Sequence, residues 1–109
     1  PEMDEAMTMA GLRMIASAEN MHKENEGKGS YGSLDDLVKA KMVDKEFLEI
    51  YGYRFEVTVL GDHFAATATP VEYGKTGKRS FFVDQSGVVR GDDHNGGPAN
   101  VMDKPVQGP

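Results

Sequence analysis

A chain of 109 residues, of which 39% are apolar, argues for one domain with a modest hydrophobic core. A formal charge of −6, with no Lys/Arg cluster beyond the short stretch Lys75–Arg79, argues against a nucleic-acid partner, because such a surface repels phosphate. The complete lack of cysteine excludes a disulfide framework, a thiolate metal site and a cysteine nucleophile.

Met3, Ala6, Met7, Ala10, Met14, Ile15, Ala18 and Met21 recur at spacings of three and four. That period predicts an amphipathic helix over 3–24, with the methionines at 3, 7, 14 and 21 as its core stripe. Glu2, Asp4 and Glu5 sit in its first turn, where the helix dipole favours negative charge. Glu26 to Ser30 reads as a loop. Ser33 with Asp36 three residues on resembles a capping box, and Leu34, Leu37, Val38 and Met42 give a short second helix over 34–41 its apolar face.

From Tyr53 the period changes to two. Tyr53, Phe55, Val57 and Val59 alternate with Arg54, Glu56 and Thr58 as in a half-buried strand. Gly61-Asp62 marks a hairpin turn, His63 to Thr69 a second strand closed by Pro70, Ser80 to Val83 a third, and Val88 to Arg90 a short fourth. The fold class is therefore α+β: an N-terminal amphipathic helix packed on a roughly four-stranded antiparallel sheet spanning 53–90. The domain is expected over 1–90. The Gly/Pro-rich tail 91–109 has almost no large apolar side chain and should add little to the core. Met14 and Ile15 should be covered by the sheet, with an apolar strip near Met3 and Met7 left exposed.

Residues that carry chemistry elsewhere find few partners here. His22, His63 and His94 lie at no ligand-like spacing, and Ser33 and Ser80 have no His/Asp company, so an enzyme is not expected. Gly74-Lys75-Thr76-Gly77 is followed by a strand, whereas a phosphate-binding loop needs a helix there. The three tyrosines 51, 53 and 73 read as packing residues. No cofactor is expected. The candidate metal site is a set of oxygen ligands for Ca²⁺, namely Asp84, Asp92, Asp93 and Asn95, although the spacing does not match an EF-hand loop and acidic, glycine-rich loops are ordinarily solvated turns.

The order of several weak motifs is similar to one family. Glu5-Ala6, Leu12-Arg13, Ile15 and Ala18-Glu19 lead into Gly29, Tyr31, Ser33-Leu34 and Leu37. Gly52-Tyr53, Phe55, Phe64, Ala66, Ala68 and Pro70 follow, then Gly74, Thr76-Gly77, Arg79 to Asp84 and Ser86 to Arg90. Over about 4–90 the chain resembles the globular head of type IV pilin-like and type II secretion pseudopilin subunits, with the exposed half of their long helix. The resemblance implies a structural filament subunit at the periplasm or cell surface, its precursor anchored in the inner membrane by an apolar helix half expected ahead of Pro1. Its partners would be other pilin or pseudopilin subunits, met through Arg13, Glu19, Lys28, Tyr73 and Lys75, and the soluble head alone would be a monomer. The other reading is a stand-alone secreted or periplasmic binding module that recognises a protein or glycan.

Overall fold

Strand alternation sets the architecture. In the computed structural model, which describes residues 2–25 and 29–106, β1 (Tyr53–Leu60), β2 (His63–Pro70), β3 (Arg79–Asp84) and β4 (Arg90–Asp93) form an antiparallel meander in the order β1-β2-β3-β4. Tyr53 lies opposite Pro70 and Leu60 opposite His63, with no break in register between them. Gly61 supplies the positive φ of 59° that a two-residue hairpin with glycine first requires.

Three helices precede the sheet: α1 (Glu2–Glu24), α2 (Leu34–Lys39) and α3 (Lys45–Ile50). The expected capping box of α2 is formed, Ser33 Oγ accepting from Asp36 N–H and the Asp36 carboxylate from Ser33 N–H. That acceptor role holds the Asp36 carboxyl below its ordinary range. The helix α3 has no counterpart among the expected elements. Asp44 caps it, and Leu48 is its buried residue.

The main core lies between α1 and the sheet. Leu12, Ile15, Leu37, Ala66, Ala68, Phe81 and Val83 are fully enclosed there. Each large apolar side chain among them contributes roughly 1.5–3 kcal/mol. α1 crosses β2 and β3 rather than β1, so Phe55, Val57 and Val59 of the edge strand are only half-buried.

Two expectations need correction. The methionine stripe is not the buried line of α1. Met3 is 68% exposed and Met21 54%, and Ala10 is exposed too. The line that meets the sheet is Thr8, Leu12, Ile15 and Glu19, flanked by Met9, Ala16 and Ala18. Polar residues at two of its four central positions rotate the apparent apolar face away from the true one. Ile15 is covered as expected, Met14 packs partly against the core, and Met3 with Met7 lies on the exposed or half-exposed side.

The segment expected to trail from 91 does not trail through the described residues up to 106. β4 runs four residues to Asp93, past the expected end at Arg90. The chain then returns, Lys104 O accepting from Gly91 N–H at 3.0 Å and Val106 N–H donating to Val89 O at 2.8 Å. Ser80 Oγ donates to Gly97 O at 2.6 Å on the sheet face away from α1. Ala99 is buried, and Val106 packs against the main core. Hydrogen bonds, both backbone and side-chain, with only Ala99 and Val106 as apolar anchors, hold this segment, which is why its apolar composition gave no sign of it.

Candidate functional site

The two ends of α1 are fastened by two glutamates in opposite ways. At the N-terminal end, Glu5 reaches the start of β3. Its Oε2 accepts from the backbone N–H of Lys78 at 3.0 Å and Arg79 at 3.1 Å, and its Oε1 from Arg79 Nε at 2.9 Å. Burial alone would raise the Glu5 carboxyl, but these donors and the guanidinium charge outweigh it and hold it below its ordinary value. The unfolded chain therefore takes up protons first as pH falls. The stability this staple contributes is complete above the ordinary glutamate range and is lost as pH falls through the lowered native value. Glu5→Gln should cost about 1–2 kcal/mol near neutrality. The deficit should shrink in acid, as followed by urea unfolding at several pH values. A deficit independent of pH would refute the staple.

At the other end Glu19 is enclosed, fully out of solvent. Its Oε1 accepts from Gly32 N–H at 2.8 Å, while Oε2 is buried without a partner among the described residues. Burial raises its carboxyl above the ordinary value, and neighbouring Asp36 adds to this, against the lowering effects of Gly32 N–H and His22. Around it, Lys23 Nζ stands 4.7 Å over the Tyr31 ring, which packs edge-on against Phe64 at 4.9 Å.

The expected contact residues divide accordingly. Arg13 is exposed on α1, and Tyr73 and Lys75 are exposed in the loop before β3. The Tyr73 hydroxyl is tied to Asp93, at 2.8 and 2.9 Å to its two carboxylate oxygens, and Lys75 lies 4.0 Å from Glu72. Glu19 cannot meet another molecule from its enclosed position, so the structure removes it from that set. Lys28 lies outside the described residues. Beside Arg13, α1 turns Met3, Ala10 and Met21 to solvent, with Met7 and Met14 half-buried at the margin of that face.

The four expected calcium ligands are not brought together. Asp84 ends β3, whereas Asp92 and Asp93 lie opposite Ser80 and Arg79 at the strand's other end, roughly 13 Å away at strand rise. Asp84 instead accepts from the N–H and hydroxyl of Ser86. Asp93 accepts from Asn95 N–H and Tyr73, which hold its carboxyl low, and Asp92 accepts from Asp93 N–H. Among the described residues no group of three or more His, Asp or Glu is placed to hold a metal ion.

The histidines are equally separate. His94 Nε2 lies 2.7 Å from Asp103 Oδ2, His63 lies 3.3 Å from Asp62, and His22 faces Ser30 O. Tyr53 is buried and donates to Arg79 O at 2.7 Å, and burial pushes its hydroxyl pKa up. A recess of about 470 Å³ lies between α3 and the start of β1. Leu34, Leu48, Tyr53, Phe55 and Val71 line it, with Lys45, Glu49 and Arg54 contributing charge.

Fold and topology together define a small α+β domain: a long helix laid on a four-stranded antiparallel sheet. The chain belongs to the family described as protein of unknown function (DUF2950), whose model matches residues 5–102. No curated protein and no solved structure matches it. No helix among the described residues is long and apolar enough to cross a membrane.

Proposed function

We propose that the chain is the head of a pilin-like structural subunit, acting in a filament of the type IV pilus or type II secretion kind at the periplasm or cell surface. The observation that carries the reading is the second apolar face of α1. A helix that already buries Leu12 and Ile15 against the sheet still presents Met3, Ala10 and Met21 outward, with Met7 half-exposed beside them. Repeated by a rotation that does not close, such a face gives a helical polymer in which function is packing rather than chemistry. Arg13 beside that face and Lys75 on the loop before β3 are the charged groups available for contacts between heads.

The test is electron microscopy of the full-length gene product, native and with Arg13→Glu and Lys75→Glu combined. Filaments that shorten or vanish in the double variant are expected. Filaments unchanged by the reversals would overturn the contact assignment. A full-length protein that forms none would overturn the filament reading in favour of a stand-alone binding module, for which the recess beside α3 is the available site.

A further inference from the structure

The two edges of the sheet are treated differently. On the β4 side, residues 104–106 run back along the strand, with Pro105 opposite Arg90. Proline has no N–H to offer, so that edge is blunted. Among the described residues the β1 side lacks a proline, a bulge and a covering strand, and its charges, Arg54 and Glu56, are of opposite sign. It is eight residues long, contains no Pro or Lys, and keeps unbroken register with β2.

The phase of its hydrogen bonds follows from Val71 N–H, which donates to Gly52 O at 2.9 Å. Counting along the ladder, Arg54, Glu56, Thr58 and Leu60 spend their backbone groups on β2. Tyr53, Phe55, Val57 and Val59 therefore point theirs outward, and no other strand pairs with them among the described residues. The side chains of Phe55, Val57 and Val59 are half-exposed beside this open ladder.

We infer that two copies of this chain pair through β1, joining two four-stranded sheets into one continuous antiparallel sheet about a two-fold axis at Phe55. Outward-pointing residues must face outward-pointing residues, so the axis passes through a residue position of the strand. An axis at Arg54 or Glu56 sets that charge against its own copy, and one at Thr58 sets Glu56 against Leu60. An axis at Tyr53 would meet α3, whose last residue is Ile50, only two residues from the strand. An axis at Val57 sets Glu56 against Thr58 and leaves Arg54 against Leu60, and one at Val59 leaves both charges without a counterpart. The axis at Phe55 sets Arg54 opposite the other copy's Glu56 twice over, with Phe55 against Phe55 and Tyr53 against Val57 on the inner face. Opposite charges and aromatic pairs directly across a ladder are the contacts that favour one register. Neither Arg54 nor Glu56 forms an ion pair with another described residue, and both are exposed. This dimer concerns the soluble head and stands whether or not the filament reading holds.

Sedimentation equilibrium of the 109-residue chain tests it. A reversible dimer is expected at about 0.1 mM. Arg54→Glu or Glu56→Arg alone sets like charges opposite each other and should weaken association about tenfold or more. The two together exchange the signs and should restore it to within roughly threefold. Because the chain has no cysteine, Phe55→Cys under mild oxidation gives a second readout: a covalent dimer is expected, and none should form with Val57→Cys. A monomer at about 1 mM, a dimer indifferent to the single reversals, or one the double exchange does not recover would each overturn the proposal.

Discussion

Replacing Glu19 with Gln should raise the urea midpoint at about pH 7.5 and leave it nearly unchanged at about pH 4. The native side chain is enclosed, one oxygen bound by Gly32 N–H and the other without a partner among the described residues. Its pKa is raised, so between the ordinary value near 4.5 and the higher native one the folded chain holds more protons than the unfolded chain. Stability from this group is therefore complete below the ordinary value and declines as pH rises through the native one, the reverse of Glu5. Gln keeps the acceptor for Gly32 and carries no charge, so its variant should lack that decline. Glu19→Ala is different in kind. It strands Gly32 N–H and empties a packed volume, which should cost roughly 2–4 kcal/mol in acid and less near neutrality, where the native protein carries a buried charge. Parallel pH series for the three proteins measure this, and a native-minus-Gln difference that does not change with pH would refute it.

Gly77→Ala should be strongly destabilising, at roughly 2–4 kcal/mol. A Cβ at this position would overlap the Tyr53 hydroxyl, with ring atoms at 2.7 and 2.8 Å. Tyr53 has little room to retreat. It is buried, its hydroxyl donates to Arg79 O, and its ring lies 6.0 Å from that of Phe81. Nor is the chain after Gly77 free to rise, because Glu5 holds the N–H groups of Lys78 and Arg79 from above. Tyr53→Phe alone should cost about 1 kcal/mol by losing one hydrogen bond. Combined with Gly77→Ala it removes the atom most in the way, so the double variant should be more stable than the sum of the singles implies. Strict additivity in a thermal-melt cycle would show that the overlap is relieved elsewhere.

Much of the fold is legible in the residues, and the gaps have physical causes. The strands of the meander announce themselves by alternation from Tyr53 to Val59 and by Gly61-Asp62 between them. The helix α1 is equally clear in its period, but not in its rotation, because Thr8 and Glu19 occupy the buried line and methionines the exposed one. Glu19 does stand four and seven residues after Ile15 and Leu12, the signal that it shares their face. A six-residue helix such as α3 is too short for periodicity to reveal, although Asp44 ahead of Phe47 and Leu48 marks its start. The acidic residues after β3 are close in sequence, yet antiparallel pairing puts Asp84 and Asp93 at opposite ends of a strand. Of the surface set, exposure of Arg13, Tyr73 and Lys75 follows from their polar settings, whereas the burial of Glu19 goes with its helix face and against its charge.

The returning segment around Pro105 has a consequence for stoichiometry. A sheet with two open sides can add neighbours without limit, and the product is a ribbon or a fibre. Here one side is shut by the chain's own last described residues, so among the described residues a single edge is left for strand pairing. Once two molecules have met through it, none is left, and sheet growth ends at a pair. A few backbone hydrogen bonds near the C-terminus thus keep a long open edge strand from becoming a seed for aggregation.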